Sequence, residues 1–137
     1  MLRVVADANV LISAALARSP NAPSVLTLDG RLELITSPLL LREIASVLAR
    51  PRLRKYLSAD EALRFVADLA GQTTLLTDPA PPHPAVCRDP DDDYLVALAT
   101  ASHADAIITG DDDLLAIDRE QLAIDILTPR QLVDRLG

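Results

Sequence analysis

The sequence predicts an α/β fold: a mainly parallel sheet of four to five strands flanked by helices. Two observations carry this. Short apolar runs of strand type alternate along the chain with longer segments of helical periodicity. Half of the 137 residues are hydrophobic but only 2% are aromatic, so the interior is built from Leu, Val, Ile and Ala, which suits helices packed on a parallel sheet.

Residues 2–6 form the first strand, apolar except for Arg3, centred on the β-branched pair Val4 and Val5 and ending at Asp7. Residues 9–17 read as a helix, and residues 22–29 as a further helical piece after the Ser19-Pro20 break. Residues 32–36 are the second strand. Ser37 is a good N-cap before Pro38 at the first helical position, and it opens a helix running to about Arg50, where Pro51 follows. A second helix spans 59–70 and is ended by Gly71; residues 73–77 are the third strand. The proline-rich connection from Asp78 to Pro84 is stiff and cannot be helix or central strand. Asp89-Pro90 caps a helix through His103, residues 106–109 are the fourth strand, a short helix follows Asp111, and residues 124–127 are the last strand. Thr128 and Gln131 form a capping box for a terminal helix ending at Leu136. The length suits one domain, residues 1–137, and there is no internal repeat or low-complexity tail.

No run long enough to cross a bilayer is free of charge, and Arg3 and Asp7 interrupt the apolar start, so neither a membrane span nor a signal peptide is expected. Cys87 is the only cysteine, which excludes an intrachain disulfide and a cysteine-built zinc site and makes a reducing cytoplasm the expected location. A net charge of −7 argues against a polyanionic ligand. The distribution of that charge points the other way. Seven acids fall in two clusters, Asp89, Asp91, Asp92, Asp93 and Asp111, Asp112, Asp113, and outside them acids and bases balance. A local carboxylate excess is what a hard divalent cation requires.

Ligand sites in parallel sheets gather at the carboxyl ends of strands, where Asp7 and Asp111 both fall. At about 100° per residue, Leu40, Leu41, Ile44, Val47 and Leu48 share one helical arc with Glu43 at its margin, where a carboxylate is costly unless a cation offsets its desolvation. Asp92 aligns with Leu95, Val96 and Ala99 as the inward acid of its helix, whereas Asp93 aligns with Ala97 and Thr100. Taken singly, each has a bland account: capping charge for Asp89 and Asp91, a solvated turn for Asp111 to Asp113, a strand end for Asp7. Convergence of four segments on one rim is the signature of a site.

In order, Val4-Val5-Ala6-Asp7-Ala8-Asn9-Val10-Leu11-Ile12, Glu43 within Leu-Leu-Arg-Glu-Ile, Asp89-Pro-Asp-Asp-Asp-Tyr-Leu, and Ile108-Thr109-Gly110-Asp111 resemble a PIN-domain nuclease, particularly the VapC-like toxins of toxin–antitoxin pairs. The likeness runs nearly end to end. It implies a three-layer fold, a metal-dependent endoribonuclease, one or two Mg²⁺ or Mn²⁺ ions, frequent homodimers, an antitoxin partner, and products with a 5′ phosphate and a 3′ hydroxyl. Carried over by position, it makes Asp7, Glu43, Asp92 and Asp111 the acidic site, with Asn9 and Thr109 as polar support. Because three aspartates are consecutive here, Asp113 competes with Asp111 as the fourth ligand.

RNA still needs cations to hold it, and Arg50, Arg52, Arg54 and Lys55 form the candidate phosphate-contacting strip; cations suited to a helix C-terminus are the equal alternative. Arg88 is a further candidate. His83 reads as loop, His103 as a helix end, Cys87 as a small hydrophobe, and Tyr56, Phe65 and Tyr94 are too scattered for a stacking platform. Rival readings are a phosphatase with Asp7 as nucleophile, which wants an acid where Asn9 stands, a receiver-like domain, which wants a lysine at a strand end, and a non-catalytic binding module, which would have lost a carboxylate.

Overall fold

The computed structural model describes residues 1–16, 31–83, 85, 90–117 and 123–136, and at 90, 91, 112 and 113 the backbone alone. The helical piece expected at 22–29, the Asp89 cap, Cys87 and Arg88 lie outside the described residues. Five strands, β1 (Leu2–Ala6), β2 (Leu32–Thr36), β3 (Thr74–Leu75), β4 (Ala106–Ile108) and β5 (Asp125–Leu127), form one sheet in the order β3-β2-β1-β4-β5, each pair parallel. The helices are α1 (Ala8–Leu16), α2 (Pro38–Leu48), α3 (Ala59–Gln72), α4 (Pro90–Ala101), α5 (Asp112–Leu115) and α6 (Pro129–Leu136), with a 3₁₀ turn at Pro51–Leu53.

The aliphatic interior follows from the register. Val5 stands between Ile35 of β2 and Ile107 of β4, and all three are fully buried. Burying each such side chain stabilises the fold by roughly 1.5–3 kcal/mol. Helix α1 packs on α2 and α2 on α3, while α4 packs on β1 and β4. From β1 the chain steps outward through β2 to β3, then returns to the other side of β1 for β4 and β5. Right-handed crossovers in opposite directions put their helices on opposite faces of the sheet, and the strand order reverses between β1 and β4. A crevice at the carboxyl ends of those two strands is the consequence.

The capping signals at Ser37 and at Thr128 with Gln131 form as expected: the Ser37 side chain accepts from Leu40 N at 3.3 Å, Thr128 Oγ1 accepts from Gln131 N at 3.1 Å, and Gln131 Oε1 accepts from Thr128 N at 2.9 Å. Ser58 and Glu61 build a second capping box at the start of α3.

Several boundaries differ from expectation. Helix α3 runs through Gly71 to Gln72 and is closed instead by Thr73, whose hydroxyl donates to the Leu69 carbonyl at 2.6 Å. The third strand is two residues long, since the chain leaves the sheet once Leu76 N has bonded the Thr36 carbonyl and turns toward Asp78. Helix α2 ends at Leu48, short of Arg50, because Pro51 holds Arg50 in an extended conformation; the guanidinium of Arg54 then folds back to donate to the freed Leu48 carbonyl. Helix α4 ends at Ala101: His103 takes a left-handed φ of 54°, and Ala104 N closes on the Ala99 carbonyl at 2.9 Å. Among the described residues no helix is long and apolar enough to cross a membrane.

Candidate active site

β1 ends where Asp7 N donates to the Ile108 carbonyl at 3.0 Å, so Asp7 emerges at the crevice as β1 becomes α1. Its Oδ1 accepts from Val10 N at 2.9 Å, which makes it the N-cap of α1. Its Oδ2 accepts the hydroxyl proton of Thr109, a fully buried residue one step beyond β4. The same hydroxyl oxygen accepts from Asp111 N at 2.9 Å. One threonine side chain therefore ties the Asp7 carboxylate at the end of β1 to the backbone of Asp111 in the loop after β4. Asn9 is exposed on the first turn of α1.

Glu43 and Asp92 approach the same rim by topology. Helix α2 leaves the carboxyl end of β2, and α4 begins above that rim before descending to the start of β4. Glu43 is exposed, not held at the margin of a buried face, because α2 buries the narrower stripe Leu40, Ile44 and Leu48. Asp92 is half-buried, and its Oδ2 atom is enclosed and accepts no hydrogen bond among the described residues, although the residue interacts elsewhere. Asp93, aligned by periodicity with Ala97 and Thr100 and passed over in favour of Asp92 as the inward acid, is buried more deeply, at 6% exposure. Leu95, Val96, Leu98 and Ala99 are also buried, so a single inward line does not describe α4. Asp111 is half-buried, and the side chain of Asp113 lies outside the described residues.

Every candidate donor is a carboxylate oxygen, the ligand type that Mg²⁺ and Mn²⁺ take, so the residues fit such an ion in chemistry. Among the described residues, however, no three of His, Cys, Asp and Glu stand close enough to share one ion. The acids share a rim without closing into a ring.

A second polar cluster, not read from the sequence, adjoins this rim. The phenol of Tyr94, on α4, donates to Asp78 Oδ1 at 2.6 Å and is hydrogen-bonded to the buried hydroxyl of Ser37. Asp78 also accepts from Leu39 N at 3.2 Å, and the His83 ring meets Tyr94 edge-on at 5.7 Å between centroids. Burial pushes the Tyr94 phenol well above its ordinary range; the bond to Asp78 and the charges of Asp78 and Glu43 add to that, and Ser37 opposes it. For Asp78 burial acts upward, but the bonds from Tyr94 and Leu39 N, the neighbouring Ser37 hydroxyl and the charge of Arg42 outweigh it and hold the carboxyl below its usual value.

In the basic strip, Arg50, Arg52 and Lys55 are exposed, with Lys55 Nζ 5.0 Å from the Tyr56 ring centroid. Arg54 differs. Its guanidinium donates to the carbonyls of Leu48 and, at 3.0 Å, of Leu57, so it serves the end of α2, the structural alternative for this strip.

The chain is 30% identical over 142 aligned positions to the uncharacterized protein MJ1680 of Methanocaldococcus jannaschii, covering 97% of this chain and 90% of that one. It superposes on the crystal structure of PAE2754 from Pyrobaculum aerophilum with a TM-score of 0.64 at 20% identity, over 98% of this chain and 89% of that one. VapBC2 from Rickettsia felis, crystallised with a DNA fragment from its promoter, gives a TM-score of 0.61 at 10% identity, over 93% of this chain and 98% of that one. These two likenesses are of fold. The PIN domain family matches residues 3–113, and this chain belongs to that family.

Proposed function

We propose that this protein is a divalent-metal-dependent endoribonuclease, the VapC-like toxin of a toxin–antitoxin pair. The observation that supports it best is the Asp7–Thr109–Asp111 connection at the crevice between β1 and β4. Membership of the PIN domain family and the fold shared with VapBC2 point the same way.

In this reading Asp7, Glu43, Asp92 and Asp111, with Asp113 as the alternative to Asp111, hold Mg²⁺ or Mn²⁺. When bound, such an ion supplies positive charge against the phosphodiester and acidifies water beside it. The chain's own residues do the rest. Thr109 fixes the direction of the Asp7 carboxylate and, through the Asp111 amide, the path of the loop that carries Asp111. A carboxylate of the rim accepts the proton of the attacking water. Arg50, Arg52 and Lys55 offer exposed charge to the RNA backbone. The reading includes a cytoplasmic homodimer and an antitoxin whose basic side chain enters the acidic rim.

Mixed RNAs incubated with the purified protein are expected to be cut with Mg²⁺ or Mn²⁺ present and to stay intact in excess chelator, the fragments carrying 5′ phosphates. Cleavage that persists in chelator rules out the metal-dependent reading.

A further inference from the structure

The polar cluster beside the rim has a definite order of donors. A phenol has one proton, and that of Tyr94 goes to Asp78 Oδ1 at 2.6 Å. The Ser37 hydroxyl must then donate to the phenol oxygen, while its own oxygen accepts from Leu40 N at 3.3 Å. Asp78 completes the chain by accepting from Leu39 N at 3.2 Å. Ser37 to Tyr94 to Asp78 is thus one directed line. It satisfies two backbone amides in the first turn of α2 and holds that turn against the start of α4.

The line joins segments remote in sequence, the cap of α2, the proline-rich connection and α4. Its placement is what matters. Tyr94 stands two residues after Asp92, on the same turn of α4, and Ser37 caps the helix that carries Glu43. Ser37 is fully buried, so its hydroxyl needs a partner, and the His83 ring packs against the Tyr94 ring in an edge-type contact. Capping α2 needs only a serine; a tyrosine hydroxyl shared with a carboxylate from a third segment goes beyond that need.

We propose that Tyr94 is a positioning residue: through Ser37 and Asp78 it sets the separation of the helices bearing Glu43 and Asp92, and so the affinity of the acidic rim for a divalent cation. The proposal rests on the nuclease reading. Partners that orient metal ligands typically change metal affinity by roughly 10–100-fold when removed.

Tyr94→Phe deletes only the hydroxyl. Free Mn²⁺ is counted by electron paramagnetic resonance during titration of the wild type, Tyr94→Phe, Ser37→Thr and Asp78→Ala, each at a temperature well below its own melting point. Tyr94→Phe is expected to bind Mn²⁺ about tenfold more weakly, with RNA cleavage restored to near the wild-type maximum once Mn²⁺ is raised to saturation. Asp78→Ala, a change on a half-exposed connection, is expected to weaken binding similarly, and Ser37→Thr, which keeps the hydroxyl, to bind as the wild type does. Wild-type Mn²⁺ affinity in Tyr94→Phe and Asp78→Ala, with only a lower melting temperature, makes the line purely structural and overturns the proposal alone. No Mn²⁺ binding by the wild type overturns the nuclease reading and the proposal with it.

Discussion

Asp7→Asn is expected to lower metal-dependent RNA cleavage by about 100-fold or more while leaving the fold in place. The separation follows from the two duties of this side chain. As N-cap of α1 it presents Oδ1 to Val10 N, and asparagine caps as well as aspartate does. On the other side Oδ2 accepts from Thr109; an asparagine amide turned the same way donates to that hydroxyl instead, and the hydroxyl can rotate its proton elsewhere. What the substitution removes is the negative charge and one ligand oxygen, both of which a divalent cation would lose. Thermal melting should therefore shift by no more than a few degrees. Cleavage rates of the two proteins, measured across a Mg²⁺ titration, check the expectation, and an active variant would place the metal away from Asp7.

Leu98→Ala is expected to destabilise the protein by about 2–5 kcal/mol. Leu98 is fully buried in the C-terminal half of α4, the helix that packs on β1 and β4. Truncation loses the transfer free energy of the removed carbons and leaves a cavity that a sheet and helix so tightly registered cannot close. Against a typical total of about 5–15 kcal/mol, this is a large fraction. Urea unfolding should show a lower midpoint with an unchanged slope. A loss below about 1 kcal/mol would mean that α4 is less firmly seated than its burial indicates.

The fold was legible where the signals were local. Ser37-Pro38 and Thr128 with Gln131 announce their helices because caps act within one turn, and β1 and β2 run as read because their apolar stretches end in polar residues. The chemistry of the rim was legible for a related reason: Asp7 and Asp111 follow strands, and parallel strands deliver their ends to one side. What escaped depends on partners distant in sequence. Gly71 looks like a stop, but the actual stop is the side chain of Thr73 reaching back to Leu69. Arg54 reads as a surface cation until its guanidinium is seen capping Leu48, six residues earlier. Tyr94 carries no periodic signal of its own; its partners Ser37 and Asp78 lie 57 and 16 residues away. Glu43 marks the limit of helical wheels, since an arc drawn from apolar residues overstates the width of the face that the protein buries.

The central claim is that carboxylates from separate segments share one divalent cation at the strand reversal. A crystal grown or soaked in Mn²⁺ and measured near the manganese absorption edge tests it most directly. The account predicts an anomalous peak in the crevice between the ends of β1 and β4, about 2.1 Å from carboxylate oxygens of Asp7 and of either Asp111 or Asp113. A peak elsewhere on the molecule, or saturating Mn²⁺ with no peak in that crevice, contradicts it.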